Sequence, residues 1–176
     1  MLLNHTQAQI KKWMTLFCFV STVSVFGQTA NIRSQIDSLK YVRGDAFDCH
    51  AVTWRIILHK KEAIQYLIDK IADTTMTQAR YLNKENHLRV GDLAYLTLAK
   101  IVSLPLARIS GMQFCVVEAG GYQRGTFEYI EANRQTFKEK VQAYYTEKKA
   151  KLKWKQYDAH YLTACYITHR INGRYE

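Results

Sequence analysis

Between Asp92 and Pro105 the chain reads LAYLTLAKIVSL, and Lys100 is its only charged residue. A helix that is apolar on most sides is stable only at the centre of a fold. This segment therefore asks for other elements packed around it, with Pro105 as its stop. Breakers are scarce elsewhere: Pro105 is the single proline, and 8 glycines serve 176 residues. That scarcity favours helices over a many-turned β fold.

The flanking segments carry helical spacing. Ile32, Ile36, Leu39 and Val42 fit a first short helix, which Gly44 ends. Asp45 or Asp48 can cap a second, with Ala51, Trp54, Ile57 and Leu58 on one face. A third runs over 62–72, with Ile64, Leu67, Ile68 and Ile71 at i, i+3, i+4 and i+7. Residues 73–89 are polar and read as a long loop. Residues 112–117 are short, apolar and β-prone, and 118–125 form a glycine-bearing loop. A last long helix is predicted over 126–154, with lysines crowding its carbonyl end. The tail alternates weakly and contains Asn172-Gly173, a hairpin-turn dipeptide.

The first 27 residues fit a secretory signal peptide. Lys11 and Lys12 supply a positive n-region, and the uncharged run WMTLFCFVSTVSVFG follows. That run is shorter than the roughly 20 residues of a membrane span. Val25 and Gly27 satisfy the −3 and −1 positions, so cleavage is expected before Gln28. Residues 28–176 then form a single helical domain, exported to the periplasm or beyond, with no stable membrane span after cleavage.

Export changes how charge and cysteine are read. The formal net charge is +10. A basic exported protein meets acidic proteins or anionic envelope surfaces, and little nucleic acid. Cys49, Cys115 and Cys165 remain after cleavage, which suggests one disulfide and one thiol. The pair expected is Cys49 with Cys115, because Cys115 lies near the middle of the predicted order; Cys165 is the other partner for Cys115. No CxxC motif supports a redox site.

DCHAVTWRIIL from Asp48 aligns with DLAYLTLAKIV from Asp92, matching Asp, Thr and Ile and placing Trp54 against Leu98. The offset of 44 residues falls in the HEAT-repeat range of about 40–47. The segments LIDKIADTT, LRVGDLAYLTLAKIVSLP and GTFEYIEANRQTFKEKVQAYY resemble a group of uncharacterised exported bacterial proteins with HEAT-like helical pairs. The resemblance implies a small α-solenoid-like scaffold, capped by the long last helix and a short irregular or β-like tail. It names no catalytic residue.

Motifs for chemistry are incomplete. GGYQRGT at 120–126 mimics a phosphate loop but lacks the lysine that contacts phosphate. Cys165, His169 and His160 offer soft ligands without an obvious fourth, and HExxH is absent. Cys49 and His50 are adjacent, so on a helix they diverge by roughly 100°. The carboxylate pairs Glu118/Glu128 and Asp73/Asp92 flank loops, and capping accounts for Asp92. No metal, cofactor or catalytic residue is assigned.

The expected function is recognition: a mostly α, exported interaction protein of the cell envelope that neutralises or inhibits another exported protein. The rival is an envelope enzyme acting on cell-wall material. The polar segment 73–89 and the Lys/Tyr-rich stretch 144–161 are the expected contact surface, because tyrosines beside cations suit wet binding surfaces. The candidate contacts are Arg80, Tyr81, Lys84, Lys149, Lys153 and Tyr157.

Overall fold

Helix α4 (Val90–Ile101) is enclosed along most of its length, with Leu93 to Leu98 all buried. In this computed structural model the described residues are 31–45, 49–81, 87–113, 125–158 and 163–176. The proposed signal peptide and Cys115 lie outside them. The chain divides into two compact units, Met1–Ser34 and Gln35–Glu176, and the second holds both sheets and the central helix.

The fold is mostly α. Helix α1 (31–37) runs into a 3-10 turn at Ser38–Tyr41. α2 (Ala51–Leu58) and α3 (Lys61–Lys70) follow, and both lie against α4. Ile64, Leu67, Ile68 and Ile71 are fully buried, as their spacing requires. Trp54 and Leu98, which the sequence alignment sets against each other, are buried as well. Leu58, expected on the apolar face of α2, is exposed; Ile56 takes its place in the core. Lys60 reverses the chain between α2 and α3 with φ 51°, a conformation costly without glycine.

The approach of α3 to α4 is very close. The Gly91 amide donates to the Asp73 carbonyl at 3.0 Å. A Cβ at Gly91 would overlap the Ile71 carbonyl oxygen and stand 2.9 Å from that of Asp73. α4 stops at Ile101, before Pro105, because Val102 turns extended and bridges to Tyr175. α5 (Leu106–Ser110) ends on Gly111, at φ 76°. α6 (Thr126–Lys148) is kinked at Asn133, whose side-chain amide donates to the Tyr129 carbonyl at 3.0 Å. It is shorter than its sequence suggests, because Trp154–Gln156 pairs as a strand instead of extending it.

The largest correction falls on 73–89. It is not one long loop: Met76–Arg80 is β2 and His87–Arg89 is β3, joined antiparallel. β1 (Arg43–Asp45) pairs parallel with β2, giving the order β1-β2-β3. Thr77 and Ala79 point inward while Met76, Gln78 and Arg80 point out. The segment looks polar because the strand residues facing solvent are polar. In chain order these strands separate α3 from α4, so the α2–α3 pair is not followed directly by another helix.

β4 (Trp154–Gln156) and β5 (Gly173–Tyr175) form a second, antiparallel pair. Asn172-Gly173 is therefore not the turn of a short hairpin. Gly173 stands opposite Gln156, and a Cβ there would meet the Lys155 backbone. α7 (Ala164–Thr168) precedes β5. Its Cys165 is bonded to Cys49, with 5.4 Å between the Cα atoms, which corrects the expected Cys49–Cys115 pair. The reason is topological: the β4–β5 pairing returns the tail to the core beside α2 and α4.

Candidate functional site

The pleat of the β1–β2–β3 sheet sorts its side chains. Thr77 and Leu88 face the core, and the Thr77 hydroxyl donates to the Leu88 carbonyl at 2.7 Å while accepting the Ala79 amide at 3.1 Å. That hydrogen bonding ties β2 to β3 beneath the outer face. On the face, Arg43 stands beside Gln78, Asp45 beside Arg80, and His87 beyond Arg80. Arg43 and Arg80 are exposed. Together with Gly44, these residues line an open depression of about 430 Å³.

His87 is shared with a second cleft of about 320 Å³, which runs toward the start of α6. Its walls carry Met76, Tyr81, Arg89, Asp92, Phe127, Glu128 and Glu131. The His87 Nδ1 donates to the Thr77 carbonyl at 2.9 Å, which ties the ring to the neighbouring strand.

The charged groups of this cleft are largely committed to the fold. Arg89 donates from Nη2 to Glu131 Oε1 at 2.6 Å and from Nη1 to the Thr74 carbonyl at 3.1 Å. Asp92 accepts the Arg89 amide at 2.8 Å, the helix-cap role its position suggests. Its other oxygen accepts from Arg134 Nη2 at 2.9 Å. Burial pushes the Asp92 carboxyl above the usual carboxylate range, opposed by the Arg89 amide and the Arg134 guanidinium. Asp92 thus holds a helix start and a guanidinium together. Among the described residues no group of three His, Cys, Asp or Glu could hold a metal ion.

The expected contacts separate. Arg80 is exposed at the centre of the sheet face. Tyr81 is not a surface contact: it is buried, its ring set edge-on to Phe127 at 4.7 Å. The strand alternation that sends Arg80 out sends Tyr81 in. Lys84 lies outside the described residues. Lys149 is exposed at the carbonyl end of α6, and Lys153 is exposed where its amide donates to the Glu176 carbonyl at 3.0 Å. Tyr157 is half-buried, edge-on to Tyr166 at 5.5 Å, with Arg174 5.9 Å from its ring centre. Glu131 on α6 and Lys149 at its carbonyl end are 18 residues apart, roughly 27 Å at 1.5 Å per residue. The sheet face and the lysine-rich end are therefore two surfaces.

Around that second surface, cations cover aromatic rings. Lys60 lies 4.5 Å from the Trp154 ring centre and Lys61 5.5 Å from that of Tyr175. Lys155 and Arg174 face each other across the strands, and Glu176 relieves their repulsion with contacts of 3.0 and 3.2 Å.

Sequence reasoning missed Arg43 and His87. The available signal was the period-two alternation of MTQARY, which marks β2; a strand there brings both residues beside Arg80. No described helix is long and apolar enough to cross a membrane. No protein-family model matches the sequence, and no curated protein or solved structure matches it either.

Proposed function

We propose that this is an exported binding protein that captures an acidic protein partner, neutralising or inhibiting it, through the outer face of the β1–β2–β3 sheet. One observation carries the reading: Arg43, Arg80 and His87 line the same open depression of about 430 Å³. Guanidinium groups grip carboxylates bidentately, and anchoring on hydrogen-bonded strands limits the ordering that binding would cost. Exposed Met76, on the same face, adds an apolar contact. The concave shape favours acidic side chains over a flat anionic envelope surface. The Cys49–Cys165 disulfide suits an oxidising compartment.

The test is binding of a fluorescent polyglutamate peptide, with pull-down from an envelope fraction in parallel. Arg43→Glu/Arg80→Glu should weaken both, and rising salt should weaken the wild type. Lys149→Glu/Lys153→Glu asks whether the lysine-rich end contributes. Binding that ignores the arginine reversals and the salt would overturn the sheet-face reading. Turnover of cell-wall material by the purified protein would favour the enzyme.

A further inference from the structure

Lys100 sits one residue before the end of α4, on the side of that helix turned toward α2. It is half-buried, and burial alone pushes its ammonium below the usual lysine range; no neighbouring charge offsets that loss. No carboxylate or carbonyl among the described residues partners it. Its ammonium lies over the Trp54 ring, 5.1 Å from ring centre to Nζ.

Trp54 is itself short of a partner. Its side chain is 1% exposed, and the indole Nε1–H has no acceptor among the described residues. Buried polar groups nearly always find one, so an orphaned donor asks for an explanation. The His169 ring is stacked on the indole, 5.1 Å between centres and 3° from parallel. Tyr166 meets the same indole edge-on at 4.9 Å. The Cys49–Cys165 disulfide ties the start of α2 to α7 and so holds these rings together.

Ammonium, indole N–H and imidazole thus gather around one ring, and neither of the first two has an acceptor among the described residues. We propose that Lys100, Trp54 and His169 form a binding site for a small oxyanion, a carboxylate or phosphate group. A bound oxyanion supplies both things the cluster lacks: negative charge for Lys100 and lone pairs for the indole N–H. A charge-assisted bond in such a partly desolvated place is stronger than one on the surface. The site uses α2, α4 and α7, and it stands apart from the sheet face.

The experiment follows the Trp54 indole resonance by NMR, assigned with Trp54→Phe. The purified protein is titrated with sodium phosphate, sodium acetate and sodium chloride at matched ionic strength. A saturable shift with phosphate alone assigns a phosphate site, with acetate alone a carboxylate site, and with both a site open to either. Lys100→Met should weaken binding at least tenfold, while Lys100→Arg should retain it. Lys100→Met replaces a poorly solvated charge with an apolar chain of similar length, so folding should survive, and circular dichroism checks this. No shift with either oxyanion, an equal shift with chloride, or unchanged binding by Lys100→Met overturns the proposal.

Discussion

Asp92 and Arg134 meet inside the protein, 2.9 Å between carboxylate and guanidinium, with side chains 5% and 9% exposed. The pair joins the start of α4 to the middle of α6, and Arg134 also reaches the Ile71 carbonyl at the end of α3. Three helices therefore meet at one guanidinium.

Removing either partner leaves the other charge buried and alone. Asp92→Asn or Arg134→Met should each cost about 3–5 kcal/mol. Urea unfolding checks this, and the double variant Asp92→Asn/Arg134→Met should lose much less than the two costs added. Strict additivity would show that the two residues act independently.

Gly91→Ala should destabilise by about 1–3 kcal/mol or more, the usual range for overpacking. The new methyl would meet the Ile71 and Asp73 carbonyl oxygens, and backbone cannot step aside as a flexible side chain can. Thermal unfolding measures it. Alanine ordinarily favours a helix over glycine, so a rise in Tm would mean that α3 and α4 are farther apart than these contacts imply.

Non-reducing peptide mapping should recover Cys49 joined to Cys165. Cys165→Ser should lower stability by about 2–5 kcal/mol, the range for native bridges in small exported domains. The effect should be lost when wild type and variant are compared under reducing conditions. A Cys49–Cys115 peptide would return the pairing to the sequence expectation.

Asp73 gives a pH dependence. Burial raises its carboxyl pKa, but the Thr75 hydroxyl and amide and the Lys70 ammonium outweigh that and hold it below the usual value. The Thr75 amide lies 2.9 Å from Oδ1 and the Lys70 ammonium 3.4 Å from Oδ2. A carboxyl that ionises more readily when folded adds stability above its unfolded pKa, and that stability fades as pH falls through the folded value. Asp73→Asn should therefore be less stable than wild type at pH 7, with the gap closing below about pH 4. Denaturant midpoints at pH 7, 5 and 3 decide it; a gap independent of pH would trace the cost to packing.

Helices α3 and α4 were legible because their information is local. Ile64, Leu67, Ile68 and Ile71 announce one apolar face, and the run after Asp92 announces burial on nearly all sides. Asp92 could be read as a cap from its place ahead of that run, and Trp54 and Leu98 as core from their helical faces. The short strands were harder to see. β1 and β3 span three residues each, too few for a period, and β2 hides its alternation in polar side chains.

What the sequence determined by itself is the set of helical faces and the mostly α class, since both follow from side-chain spacing within a few turns. What the tertiary structure decided is which distant residues meet. Cys49 finds Cys165 across 116 residues, Asp92 finds Arg134 across 42, and Arg43 comes to stand in the depression beside Arg80. Pairings of that kind depend on how the elements pack in space, and local periodicity carries no record of the distance between segments far apart in the chain.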